Sequence, residues 1–233
     1  MNRALRIALD LIFPRSCAVC GRSLASDSDG PMCPRCLQGL PRMTFHNQPF
    51  NEVHQKLAAP GILIERATAM FRYAHNSDYA TLVRDAKYNN RPWQIRTLAR
   101  NYAREIAPDG FFDGMDAIIP VPMHWWKELK RGFNQSYELA RGISDITRLP
   151  ILDNLEATRS HTTQTALTGD ERRKNLKGIF KLFRPNELDG RHILLVDDII
   201  TTGSTMLEAC HTISQAATNV RISVLALAST SYA

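Results

Sequence analysis

The stretch from Ile193 to Met206 reads I-L-L-V-D-D-I-I-T-T-G-S-T-M. Its opening apolar residues predict a buried strand over His192 to Val196. Two carboxylates, Asp197 and Asp198, follow at the carboxyl end, where open α/β sheets take their ligands. Thr201, Thr202, Gly203, Ser204 and Thr205 then turn into a helix that runs to Ala217. Hydroxyls, a glycine and free N–H groups at a helix N-terminus make an anion site. Gly203 would let the backbone approach a phosphate closely. Carboxylates beside such a cradle suit a ligand with phosphate at one end and ribose hydroxyls at the other.

Competing readings of this stretch fare worse. A nucleotide-binding P-loop needs G-x-x-x-x-G-K-[ST], and neither the lysine nor the second glycine is present. A response-regulator receiver also opens on a strand ending in Asp-Asp. It would need about a hundred further residues, and 36 follow Asp197. A merely structural strand–turn–helix leaves two carboxylates at the end of a buried strand, and the hydroxyls after them, without a purpose.

Outward from this motif, strand and helix patterns alternate. Ile62 to Tyr73 is rich in β-branched and aromatic residues and predicts a strand. Asp78 to Asn89 and Trp93 to Ile106 read as helices. Asp116 to Val121 is a short apolar strand leaving into Pro-Val-Pro. Asn134 to Thr147 predicts a helix with Asn134 as N-cap. Thr158 to Lys177 is polar and reads as a mobile loop with a helical turn, and Val220 to Ala228 as the last strand. The alternation implies an α/β fold with a largely parallel sheet and helices on both faces. Pro31 to Pro60, punctuated by prolines, reads as a connector, so the expected division is 1–50 and 51–233.

Composition is that of a globular chain: 233 residues, 44% hydrophobic and 22% charged. No apolar run approaches the ~20 residues of a membrane span. Met1 to Phe13 carries Leu5, Leu9 and Ile12 on one face and predicts a short amphipathic helix ended by Pro14 rather than a signal peptide. The net charge is +6. Between Trp125 and Arg184 stand 12 Lys/Arg against 7 Asp/Glu, so most of the basic excess lies in one central segment. Such a field suits phosphate groups, on a small ligand or on nucleic acid. A solvated basic surface fits the charge alone as well.

Four of the five cysteines are spaced C-x2-C-x12-C-x2-C: Cys17, Cys20, Cys33 and Cys36. Two such knuckles close tetrahedrally around one Zn2+, and four protein ligands make a structural site. Disulfides fit poorly, because nothing in the sequence directs the chain to an oxidising compartment; the expected location is cytoplasmic. A module of about 25 residues cannot bury enough surface alone, so zinc would supply its core. Cys210 falls on a helical stripe with Met206, Ile213 and Ala217 and reads as core. His46 and His54 lack cysteine partners and read as ordinary histidines.

The Ile193–Met206 stretch resembles the signature of type I phosphoribosyltransferases, which bind 5-phosphoribosyl-1-pyrophosphate (PRPP). Other segments narrow the resemblance to the ComF family, which includes ComFC and GntX proteins and is associated with natural competence and the use of external DNA. They are I-P-V-P-M (Ile119 to Met123), R-G-F-N-Q (Arg131 to Gln135), T-Q-T (Thr163 to Thr165), E-R-R-K-N (Glu171 to Asn175) and L-I-F-P-R-S-C-A-V-C-G (Leu11 to Gly21). Lys87 and Tyr88 match a Lys–aromatic pair of the family. Two departures stand out. Many members carry four further cysteines in a second zinc ribbon, absent here. Members also often place an arginine after the last strand, where this chain has Ser229, Thr230 and Ser231.

By resemblance, Asp197 and Asp198 hold the ribose hydroxyls, and Thr201, Thr202, Gly203, Ser204 and Thr205 hold the 5′-phosphate. The resemblance implies displacement of pyrophosphate by a nucleophile, with Mg2+ neutralising the leaving group. Arg131 would stabilise it directly, helped by N–H groups of Val121 and Met123 in the loop that also holds Pro122. Gly132, Asn134 and Gln135 belong to the same segment, the last two orienting it. Thr163, Gln164, Arg172 and Asn175 would close over the ligand. No general base is evident. Two function classes follow: an enzyme transferring phosphoribosyl to an unidentified acceptor, and a non-catalytic protein of DNA uptake that holds single-stranded DNA or serves as an adaptor. In the second, Trp125, Trp126 and Phe133 would stack bases beside Lys127, Lys130 and Arg131; the same aromatics read at least as well as core or loop packing. Candidate partners are PRPP, single-stranded DNA, and a DNA-uptake helicase or recombination mediator.

Overall fold

Apolar residues follow one another along the central strands, and alternate ones face opposite ways. Ile193 and Leu195 enter one hydrophobic cluster, Leu194 and Val196 the other. Val224 and Ala226 divide from Leu225 and Leu227 in the same manner. Only a sheet covered on both faces accommodates such runs. The computed structural model describes residues 15–25, 28, 30–88, 91–158 and 178–231, with backbone alone at 85–88. The predicted N-terminal helix and the T-Q-T and E-R-R-K-N segments lie outside the described residues.

The main sheet is parallel, in the order β1 (Ile64–Arg72), β6 (Arg221–Ser229), β5 (His192–Ile200), β2 (Ala117–Pro120). On one face lie α3 (Ala80–Tyr88), α4 (Pro92–Ile106) and α6 (Gln135–Thr147), the last two packed closely together. The other face is covered by α7 (Ser204–Ala216) and the short α2 (Glu52–Lys56). Met206, Cys210, Ile213 and Ala217 are all buried there, and burial pushes the Cys210 thiol up to about 12. This is the inert core cysteine that its spacing predicts.

Both outer edges of the sheet are covered. On β1, Met43 N–H donates to the Met70 carbonyl (3.0 Å) and Arg72 N–H to the Pro41 carbonyl (2.8 Å). On β2, Ile118 N–H donates to the Pro150 carbonyl (2.9 Å) and accepts in return from Leu152 N–H (2.9 Å) at its own carbonyl. The segment that reads as a connector holds α1 (Pro34–Gln38), a 3-10 turn (Phe45–Asn47) and α2. Asn51, at the expected division of the chain, is buried. Its amide donates to the carbonyls of Phe45, Gln48 and Ala67, and its Oδ1 caps α2 by accepting from Val53 and His54 N–H.

Three further differences from expectation have physical causes. Strand β5 continues through Asp197 and Asp198 to Ile200, because β6 pairs with it as far as Ser229. The carboxylates therefore stand on the strand, not beyond it. Trp125–Arg131 forms a helix, α5, with His124 Nδ1 accepting from Trp126 N–H at its start and Gly132 (φ +82°) ending it. A separate antiparallel pair, β3 (Leu155–Ala157) and β4 (Phe180–Leu182), brackets the segment read as a loop.

Helices α4 and α6 approach closely at Gly142 of α6. A Cβ there would stand 2.6 Å from Ala99 Cβ of α4 and against the backbone of Arg96 and Arg100. An Arg96–Asp145 pair clasps the same seam (2.9 and 2.7 Å) and holds the Asp145 carboxyl below the usual carboxylate range. Gly142→Ala would gain about 1 kcal/mol of helix propensity. Backbone cannot swing aside as a side chain can, so the overpacking cost of about 1–3 kcal/mol should win. A lower urea midpoint with unchanged slope is expected; an unchanged midpoint would contradict so close a seam.

Candidate functional site

The carboxyl ends of β2 and β5 lie side by side, so the residues following each strand converge. Asp197 accepts at Oδ1 from Ser136 Oγ (2.8 Å) and from the N–H of Asp198 (2.8 Å). Ser136 lies in the first turn of α6, where its own N–H donates to the N-cap Asn134 Oδ1 (2.9 Å). Asn134 Nδ2 reaches on to the Val121 carbonyl (3.2 Å). One continuous network thus ties the Pro-Val-Pro loop, the start of α6 and the strand carboxylates. Asn134 and Asp197 are site residues that the sequence predicts; the Ser136 joining them is not. Its signal was the position two residues after an N-cap asparagine, which by itself says only that a helix begins.

Arg131 closes α5 and points its guanidinium toward Met123 Sδ (3.7 Å) and Gln135 Oε1 (3.5 Å), both long contacts. It is therefore grouped with the loop it was assigned to. Val121 departs from expectation: its N–H donates to the Val196 carbonyl (2.9 Å), continuing the β2–β5 ladder, so that donor is committed to the sheet.

The Thr201–Thr205 turn forms a small recess with Asp197, Ile199 and Ile200 at the start of α7. Thr202 Oγ1 and Ser204 Oγ share a hydrogen bond (2.9 Å). Gly203 adopts φ +79°, and a Cβ on it would meet the Lys56 carbonyl at 2.9 Å and Leu57 Cδ2 at 3.1 Å. Glycine is thus required by the turn and by the closeness of α2, whatever approaches from solvent. A larger cleft of about 500 Å³ opens beside the Pro-Val-Pro loop, walled by Met123, Trp125, Asn134, Tyr137, Leu155 and Phe183, with Glu128 and Asp153 at its rim. Trp125 and Trp126 are 62% and 58% exposed and meet edge to face. Phe133 does not join them; it packs on the α4–α6 core.

At the other end of the chain, the four cysteine sulfurs lie within 4.8 Å of one another. Tetrahedral Zn–S bonds of ~2.3 Å set neighbouring sulfurs about 3.8 Å apart, and Cys20 and Cys33 Sγ stand 3.8 Å apart. The geometry fits a structural Zn2+. The Cys33 N–H donates to Cys17 Sγ (3.3 Å). Burial pushes Cys17 up, but N–H groups of Cys20, Cys33 and Val19 outweigh it and bring the thiol down to about 6. No other group of possible ligands among the described residues gathers as closely. His46 instead pairs with Asp109 (2.9 Å), and burial holds His54 below the usual imidazole range.

Residues 127–232 match the phosphoribosyl transferase domain family, and residues 8–50 the double zinc ribbon domain family. Competence protein F of Haemophilus influenzae is 39% identical over 54% of this chain and 58% of its own length, so that match spans little more than half of the relative. DNA utilization protein YhgH of Escherichia coli O157:H7 is 32% identical over 82% of this chain and 81% of its own length. The chain belongs to the ComF family. Competence protein ComFC of Bacillus subtilis matches at 25% identity over 85% of this chain and 78% of its own length. As a ComF protein, the chain joins a phosphoribosyltransferase-like parallel sheet to a zinc-ribbon module with a single four-cysteine set. Thr163, Gln164, Arg172 and Asn175, expected over the site, lie outside the described residues.

Cys17, Cys33 and Cys36 are buried in the same cluster as the α4 and α6 core residues. Metal loss should therefore be felt beyond the module. Purified protein is expected to hold one zinc per chain. Cys17→Ser should release it and lower the melting temperature, while Cys210→Ala should keep it; elemental analysis with thermal unfolding reads both. Full zinc retention in Cys17→Ser would refute the ligand set.

Proposed function

We propose that this ComF protein binds PRPP and transfers its phosphoribosyl group to an acceptor, in the service of DNA uptake or the use of external DNA. The observation that carries the reading is the Asn134–Ser136–Asp197 network, which sets a carboxylate beside the hydroxyl-lined recess of Thr201–Thr205. The phosphoribosyl transferase family match supports the chemistry, and the names of the relatives support the setting.

In this reading the 5′-phosphate sits against the N–H groups opening α7 and the hydroxyls of Thr202 and Ser204. Asp197 and Asp198 accept from the ribose hydroxyls, with Ser136 fixing the Asp197 carboxylate. The pyrophosphate lies toward Arg131 at the end of α5, where a guanidinium offsets the charge that builds as the C1–oxygen bond breaks. Carboxylate oxygens of Asp197 and Asp198 suit Mg2+, which would come with PRPP and neutralise its pyrophosphate. The 500 Å³ cleft adjoins this path through Asn134 and is the place for an acceptor.

A second reading, in which the chain holds single-stranded DNA as a binding or adaptor protein, draws on one observation. Trp125 and Trp126 stand exposed on the same helix as Lys127, Lys130 and Arg131. Exposed aromatics beside cations suit stacked bases and their phosphates. The two readings are compatible. Among the described residues no helix is long and apolar enough to cross a membrane.

Calorimetry should show PRPP binding in the presence of Mg2+. The double variant Asp197→Asn, Asp198→Asn loses charged hydrogen bonds of about 1.5–3 kcal/mol each, so its affinity should fall by at least tenfold. A folded double variant with unchanged affinity would overturn the ribose assignment. PRPP-dependent release of pyrophosphate, screened with bases, nucleotides and oligonucleotides, tests transfer itself.

For DNA, affinity for a single-stranded oligonucleotide should fall steeply with salt. Charge reversal of Lys127, Lys130 and Arg131 should weaken it and flatten the salt slope. Absence of binding at low salt would eliminate the DNA reading and leave the transferase or a purely protein-directed adaptor.

A further inference from the structure

Lys56, the last residue of α2, is 7% exposed. Its ammonium has three donors, and all are used on neutral oxygens of the β6 terminus: Ser229 Oγ (3.2 Å), the Thr230 carbonyl (2.5 Å) and Thr230 Oγ1 (2.8 Å). The charges that act on it are Glu52 and Arg72, which are bound to each other in a two-pronged pair (2.8 and 3.0 Å). A buried cation is thus hydrogen-bonded without a carboxylate bound to it. Such a charge is costly to bury, and burial accordingly holds Lys56 below the usual lysine range.

The same residue is built into the recess. Its carbonyl lies where a Cβ on Gly203 would collide. Thr230 Oγ1, which accepts from the ammonium, donates onward to the Thr201 carbonyl (3.1 Å), and Thr230 N–H donates to the Ile200 carbonyl (3.0 Å). The ammonium, the strand terminus and the Thr201–Thr205 turn therefore form one hydrogen-bonded unit. Among the described residues nothing comparable ties Lys56 to Arg131, whose guanidinium faces Met123 and Gln135.

We propose that Lys56 is a positioning residue that supplies the buried counter-charge of the recess, and that the phosphate monoester of the ligand is the anion it lacks. This rests on the reading that Thr201–Thr205 holds a phosphate. Lys56 acts from behind the turn: it fixes the turn through Thr230 and adds a positive field to the N-terminus of α7. Selectivity between the two ends of the ligand follows, because the field belongs to the phosphate recess alone.

Calorimetry on the full chain with two probes, ribose 5-phosphate and Mg2+-pyrophosphate, tests this. Lys56→Met keeps the stem and removes the charge; it should lose about tenfold in ribose 5-phosphate affinity and leave pyrophosphate affinity unchanged. Lys56→Arg should recover most of the loss. Should Lys56→Met not fold, Lys56→Gln, which keeps a polar head, carries the same expectation. Equal ribose 5-phosphate affinity in a neutral variant overturns the role of Lys56, and so does equal loss of both probes. Wild-type protein that binds neither PRPP nor ribose 5-phosphate overturns the phosphate reading beneath it, and the proposal with it.

Discussion

Strand β5 is paired on both sides and buried on both faces, and the rest of the molecule is arranged around that constraint. Parallel partners β2 and β6 fix its register, and clusters above and below fix which residues face each way. Because β6 holds it as far as Ile200, Asp197 and Asp198 are carried on rigid backbone. Asp198 is buried and Asp197 half-buried. Carboxylates so placed need donors, and Ser136 Oγ with the Asp198 N–H supplies them to Asp197. The hydrogen bond from Ser136 that satisfies this half-buried acceptor also registers α6 against the sheet.

The zinc module is joined to this core rather than hung from it. Tyr79, at the entry to α3, donates its hydroxyl to the Cys36 carbonyl (3.0 Å). The chain leaving the second knuckle runs directly onto the edge of β1 through Pro41 and Met43. Asn51 then reaches the carbonyls of Phe45 and Gln48, two N–H groups of α2 and the Ala67 carbonyl of β1, tying the segment to the sheet. A module too small to fold alone thereby gains the support of the larger core, and that core gains a cover for α3 and α4.

Much of this was legible in the sequence. The apolar run at Ile193, the hydroxyl-rich turn and the paired C-x2-C knuckles each have a local physical cause, so spacing alone exposes them. What escaped depends on contacts distant in the chain. Ser136 meets Asp197 only because β2 and β5 are neighbours. Lys56 becomes buried only when β6 ends beside α2. The short strands β3 and β4 pair across a long intervening segment, and three residues each give too little periodicity to read. Phe133 followed the pattern of its neighbours Trp125 and Trp126 in sequence but faces the core in space. Gly203 was readable only as a glycine that opens the backbone to a phosphate; that its left-handed turn and the closeness of α2 exclude a side chain there was not.

The covered sheet edges bear on how this protein can meet others. Between Ala67 and Arg72 the outer groups of β1 are engaged by Asn51, Pro41 and Met43, and β2 is engaged by Pro150 and Leu152. Backbone is the least selective of recognition surfaces: any extended peptide can zip onto an open strand. Here that route is shut along both flanks. Along these two flanks of the main sheet a partner must therefore read side chains, and association there becomes a matter of sequence-specific fit instead of strand addition.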